Sequence, residues 1–199
     1  AKKLYPEIVP KAVDDYLSYL ELYKNQNISE RILNPVWHVH SGTPPDEKNI
    51  MPFSMLLNLV GTSNASNKEI LWKFVKKYKK DIDQNNHPIF DKLVQYAIKY
   101  FEDIVKPKKK FKKPNQSEKN ALLSLIQSLE NCTTEMDPEE IQTIIYTAGK
   151  DNGFKENLRD WFKLIYEVVF GDENGPRIGF FISFFGVKET KQLIKDKIS

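Results

Sequence analysis

Apolar residues in this chain recur at the three-to-four-residue spacing of one helical face. Val13, Tyr16, Leu17, Leu20 and Tyr23 form a first stripe, and Ile70, Leu71, Phe74, Val75 and Tyr78 a second. Phe90, Leu93, Val94, Ala97, Phe101, Ile104 and Val105 make a longer third. Later stripes run through Leu122, Leu125, Ile126 and Leu129, through Ile141, Ile144, Ile145 and Ala148, and through Trp161, Phe162, Ile165, Val168 and Val169. Ile178, Phe181, Ile182 and Phe185, then Val187, Thr190, Ile194 and Ile198, close the chain. Strict alternation, the mark of a half-buried strand, is nearly absent. The pattern predicts an all-α protein of about eight to ten helices.

Polar punctuation agrees. Ser66 precedes Glu69 by three residues, a capping-box spacing. Asp137-Pro138-Glu139-Glu140 supplies an N-cap acceptor, a proline at the first helical position and an acid three residues on. Gly171 and Gly186 stand just past periodic runs, where left-handed backbone ends a helix. Lys106–Asn115 holds six lysines and two prolines with no acid, and cannot bury a helix face. It is expected to be a linker or exposed loop, dividing the chain into helical subdomains over residues 1–105 and 116–199, each of ordinary domain size. No repeat of fixed period suggests a solenoid.

Composition narrows the function classes. The net charge of +3 is too small by itself to imply a nucleic-acid partner, so the placement of charge matters more than its sum. The single cysteine, Cys132, excludes an intrachain disulfide and a cysteine-based zinc site, and fits a reducing, cytoplasmic setting. No apolar run approaches the roughly 20 residues of a membrane span, and no secretory signal opens the chain. The absence of an initiator Met suggests a fragment. Neither Gly-x-Gly-x-x-Gly nor Gly-x-x-x-x-Gly-Lys occurs, which argues against a nucleotide-binding βα domain here.

Four constellations invite a chemical reading. Trp37-His38-Val39-His40 presents a His-x-His pair, but zinc needs three or four ligands and the other histidine, His87, sits beside Pro88 in a loop. The flanks Asn34-Pro35 and Thr43-Pro44-Pro45 read as extended, turn-like chain, so His38 and His40 are expected to make loop hydrogen bonds; no metal is expected. Lys73, Lys76, Lys77 and Lys80 fall on one helical stripe. That stripe is either a solvated face or a phosphate contact, since four like charges in one row repel until a polyanion relieves them. Lys108, Lys109, Lys110 and Lys112, with Phe111 among them, could follow a phosphate backbone or merely solvate a linker. Lys150, Asn152, Phe154 and Lys155 occupy a polar loop with Arg159 one turn into the next helix. Arg177 follows Gly175-Pro176, where a helix start would offer unpaired N–H groups to an anion. Asp14-Asp15 and Glu139-Glu140 are adjacent pairs that point to different helix faces, and no nucleophile elbow occurs, so no catalytic residue is expected.

Several strings, taken together and in order, resemble the region after the catalytic core of class I lysyl-tRNA synthetases. They are Pro6-Glu7-Ile8-Val9-Pro10 leading into Ala12-Val13-Asp14-Asp15-Tyr16-Leu17, Asn34 to Gly42, Phe53 to Val60, and Leu71-Trp72. Ile141-Gln142, Lys150 to Phe154, Leu158-Arg159-Asp160-Trp161-Phe162 with Tyr166-Glu167, and Gly175 to Gly179 complete the set. The end of the chain, from Gly175-Pro176 through Gly186 to Leu193-Ile194, also resembles the helical anticodon-binding cage of bacterial glutamyl-tRNA synthetases. The resemblance implies a parent enzyme that joins lysine to its tRNA using ATP and magnesium. Its His-Ile-Gly-His and Lys-Met-Ser-Lys-Ser signatures are absent here, so ATP and lysine binding are assigned to a missing N-terminal catalytic domain. This part is expected to bind lysine tRNA and to be inactive alone. Anticodon contact falls to Lys150, Asn152, Phe154, Lys155, Arg159 and Arg177, and backbone contact to the two lysine groups. The rivals are a helical protein-interaction module without RNA affinity, and a small metallohydrolase built on His38 and His40.

Overall fold

The computed structural model describes residue 3 and residues 5–63, 65, 67–78, 82–133 and 136–199; for Lys77 and Tyr78 it describes the backbone alone. The Ser66 cap and Lys80 therefore lie outside the described residues, as does the Lys77 side chain. Among the described residues there are eleven α-helices and no strand, so the chain is all-α. They are α1 Val9–Asn25, α2 Ile28–Leu33, α3 Pro35–Val39, α4 Phe53–Ser63, α5 Lys68–Tyr78, α6 Pro88–Tyr100, α7 Gln116–Ser128, α8 Pro138–Gly149, α9 Leu158–Ile165, α10 Ile178–Phe185 and α11 Val187–Ile198.

The count exceeds the expected eight to ten because α2 and α3 are too short for periodicity to register. Caps specify them instead. Asn27 and Glu30 form a capping box at α2, and Asn34 accepts the Val36 N–H at α3, with Pro35 in its first turn. The reading of Asn34-Pro35 as extended chain is corrected: this proline starts a helix, because its missing N–H is one the first turn does not need. The Asp137–Glu140 capping box forms as expected.

Two helices are capped from a distance. Asp14 of α1 accepts N–H bonds from Phe53 and Ser54 at the start of α4. Glu47 accepts those of Ile89 and Phe90 at the start of α6, at 2.7 and 2.8 Å. Each carboxylate satisfies orphan donors at a positive helix end, and together they pin the loop over residues 40–52 between α1 and α6. Buried residues on both sides of Lys106–Asn115 belong to one hydrophobic cluster, in which Leu56, Leu59, Val94, Ile145, Trp161 and Phe181 are almost wholly enclosed. Phe74 of α5 stacks on Phe185 of α10 at 5.6 Å, joining the two ends of the cluster. No helix among the described residues is long and apolar enough to cross a membrane.

Residues 106–115 lie against this body. The Lys110 N–H donates to Gly171 O at 2.9 Å and the Lys112 N–H to Glu167 O at 3.1 Å. Phe111 covers Gly171, which has the left-handed φ of +66° expected at a helix end. Gly186 also has positive φ, but with ψ 141° it is extended rather than helical.

Candidate functional site

α8 and α9 form a hairpin closed by Trp161, whose indole N–H donates to Ile145 O at 2.9 Å. The ring lies so close to Gly149 that a Cβ there would meet it within 3.0 Å. α10 crosses α8 at Gly179, whose N–H donates to the buried Gln142 Oε1 at 2.8 Å. The Tyr166 hydroxyl donates to Pro176 O at 3.0 Å, holding residues 172–177 over the end of α9. These three ties leave an open groove of about 850 Å³ between α8, α9 and residues 173–177.

One wall of the groove is aromatic. Tyr146 and Phe162 meet edge to face at 5.0 Å, and Phe162 and Tyr166 are 6.4 Å apart. Burial, and then the neighbouring Tyr146, raise the Tyr166 hydroxyl above its ordinary pKa of 10.0, so it remains a neutral donor. Arg159, Lys163 and Arg177 supply cations, and Asp160 and Glu173 carboxylates. Arg177 pairs with Glu139, but both side chains are more than half exposed. Such a pair is worth little and an incoming anion can replace it. Lys163 lies 3.2 Å from Glu173 and 3.7 Å from Glu167. Ring faces beside guanidinium groups can stack a planar base and hold its phosphate.

Of the residues expected to meet an anticodon, Arg159 and Arg177 line this groove. Lys150 and Lys155 are exposed but lie outside its lining. The Asn152 amide donates to Ser124 Oγ at 2.9 Å and Ala148 O at 2.8 Å, and Phe154 packs on Trp161 at 5.2 Å. These two brace the end of the hairpin. At the start of α10, where an anion was expected, Gln142 takes one of the first-turn donors, the Gly179 N–H. Tyr146, Phe162 and Tyr166 were missed: Phe162 shares the periodic stripe of a core residue. The available signal was the tyrosines, whose polar tips favour a partly wet position.

The lysines divide likewise. Lys73 and Lys76 are exposed on α5. In the second group, Lys108 pairs with Glu7, Lys109 with Asp172 at 3.7 Å, and Lys112 with Glu118 at 2.7 Å and Glu167 at 3.6 Å. Lys110 is exposed and has no ion pair among the described residues. The Lys109 side chain is only 14% exposed. Burial pushes its ammonium below its ordinary pKa, with Asp172 opposing. Its folded pKa being depressed, the charged form costs stability at neutral pH, a cost relieved only as pH rises through that lowered pKa towards the ordinary lysine value. Lys109→Met should therefore leave stability within about 1 kcal/mol of the parent, or raise it. Urea unfolding checks this; a loss above about 2 kcal/mol would show a needed charge.

Both histidines of the His-x-His pair are hydrogen-bonded: His38 Nε2 to Ile32 O at 2.7 Å, and His40 Nε2 to the Tyr16 hydroxyl at 2.8 Å. No group of three His, Cys, Asp or Glu side chains placed to hold a metal occurs among the described residues.

No protein-family model matches the chain. It is 41% identical over 194 residues to a lysine–tRNA ligase of Roseobacter denitrificans, an alignment covering 98% of this chain and 36% of that protein. It is 36% identical over 200 residues to lysine–tRNA ligases of Rickettsia bellii and Rickettsia africae, covering all of this chain and 38% of each. The chain thus spans a little over a third of the length of the curated relatives it matches. Over its whole length, it belongs to the lysine–tRNA ligase family, as a region of such a protein.

Proposed function

We propose that the chain is the C-terminal, tRNA-gripping region of a class I lysyl-tRNA synthetase, acting in the cytoplasm, and that the α8–α9 groove receives unstacked anticodon bases. The observation that carries the reading is the convergence of Arg159, Lys163 and Arg177 on the rings of Tyr146, Phe162 and Tyr166 in one open groove. RNA sequence is read where single-stranded bases can be splayed out, stacked on aromatic rings and bonded along their edges. The exposed lysines 73, 76, 110, 150 and 155 contact phosphates, a sequence-independent contribution that falls as salt rises. Lysine activation with ATP and magnesium belongs to the part of the ligase outside this chain, and the region alone is inactive.

The test is a titration against a lysine-tRNA transcript and an anticodon-swapped copy at two salt concentrations. The lysine anticodon should be preferred, and affinity should fall with salt. Tyr146→Ala and Arg159→Ala should each weaken binding by about tenfold, since one stacked base contributes roughly 1–3 kcal/mol. Equal binding of both transcripts would reduce the surface to a nonspecific basic one. No binding at low salt would favour a helical protein-interaction module.

A further inference from the structure

The groove accounts for Tyr146, Phe162 and Tyr166, but not for the most exposed large apolar side chains among the described residues. Of the twelve large hydrophobic residues exposed among the described residues, eight lie between Tyr5 and Val39. The three most open are Leu33 at 81%, Ile28 at 79% and Val39 at 70%, all on α2 and α3, with Ile32 beside them. Scattered apolar residues are ordinary on any surface; a concentration on two short adjoining helices is not.

This corner is held in place. The Asn34 side chain, itself buried, donates to Tyr19 O at 3.0 Å and Gln26 Oε1 at 2.9 Å. Arg31 donates to Tyr23 O and Lys24 O, both at 3.2 Å, and lies over the Tyr23 ring. His38 ties α3 to Ile32 O of α2. The apolar side chains therefore stand on a fixed frame and cannot fold inward to hide.

The corner is also nearly without usable charge. Residues 26–42 contain one carboxylate and one guanidinium, Glu30 and Arg31, besides His38 and His40, whose rings are both hydrogen-bonded. Glu30 is engaged in the α2 capping box and Arg31 in its carbonyl bonds. Lys24 lies 3.3 Å from Glu21 and donates to Glu47 O. A phosphate backbone or an anionic lipid surface finds little to hold here. An uncharged protein surface does.

We infer that α2 and α3 form the seat on which the rest of the ligase polypeptide packs, through Ile28, Ile32, Leu33 and Val39. The inference rests on the reading of the chain as one region of a longer ligase, and the relatives are long enough to supply the occupant: this chain covers only 36–38% of them. A neighbour in the same polypeptide is presented at high effective concentration, so a modest apolar patch suffices to dock it. Separate copies at ordinary dilution lack that advantage.

The test compares backbone amide exchange over residues 28–40 in the 199-residue chain and in the full-length ligase. Exchange should be at least tenfold slower in the full-length protein, and the chain alone should sediment as a monomer. An Ile28→Asp, Leu33→Lys double variant should leave the melting temperature of the chain unchanged, because both side chains are exposed, yet abolish the added protection in the full-length protein. Equal exchange in the two proteins would overturn the inference. So would a dimer of the chain that the double variant returns to monomer, since the surface would then be a self-interface. The tRNA titration reads the other proposal separately. A chain that prefers the lysine anticodon while residues 28–40 stay unprotected sinks only the docking seat. Protection without tRNA binding sinks only the groove.

Discussion

Trp161→Ala should destabilise the protein by about 3–5 kcal/mol, the usual range for emptying a large buried aromatic site. Trp161 is wholly enclosed, pressed between Gly149 and Phe154, and bonded to Ile145 O. Alanine leaves a cavity along the α8–α9 seam that neither backbone can close without breaking other contacts. That loss is a large share of the 5–15 kcal/mol typical of a folded domain. Trp161→Phe keeps most of the apolar volume but loses the indole donor, and should cost roughly 1–3 kcal/mol. Far-UV circular dichroism in urea measures both without relying on tryptophan emission. A loss below about 1 kcal/mol for the alanine variant would contradict the enclosed packing. Because Phe162 follows directly in the chain, tRNA affinity should fall with stability in both variants.

Gly179→Ala should also destabilise, by about 2–4 kcal/mol, although helix propensity alone would favour alanine by about 1 kcal/mol. The outcome is decided by what a Cβ would meet. It would come within 3.0 Å of Pro138 O and Gln142 N, both backbone atoms of the first turns of α8. A flexible side-chain tip could swing away, whereas a helix backbone can only shift as a body. Separating α8 from α10 also breaks the bond from the Gly179 N–H to Gln142 and leaves a buried donor unsatisfied. Arg177, two residues before Gly179, moves with it and alters the groove mouth. Thermal melting together with the tRNA titration tests this, and a variant as stable as its parent would contradict the close α8–α10 crossing.

These two sites mark the limits of reading the chain in one dimension. Periodicity placed Trp161 on a core stripe, because burial follows from which residues share a helix face. It placed Phe162 there too, although that ring sits half-open on the groove wall. A helical wheel shows which side chains share a face, not where the covering neighbour stops. Local caps were legible where both partners lie within one turn, as at Asp137 and Glu140. Asp14 and Glu47 were not, since their backbone partners lie about 40 residues further on. The basic segment carried no acid of its own, so its lysines looked open to phosphate. Its acids come from elsewhere: Glu7, Glu118, Glu167 and Asp172.

By itself, then, the sequence determined the all-α class, most helices, most of the core and, through an ordered set of strings, the resemblance to lysyl-tRNA synthetases. Those properties depend on spacing within one turn or on the order of residues along the chain. Only the tertiary structure decided that Arg159 and Arg177 share a groove with three aromatic rings, that Gln142 takes one N–H at the start of α10, and that α2 and α3 present an open apolar corner. Each of these depends on which distant segment lies alongside, and nothing in local spacing encodes that.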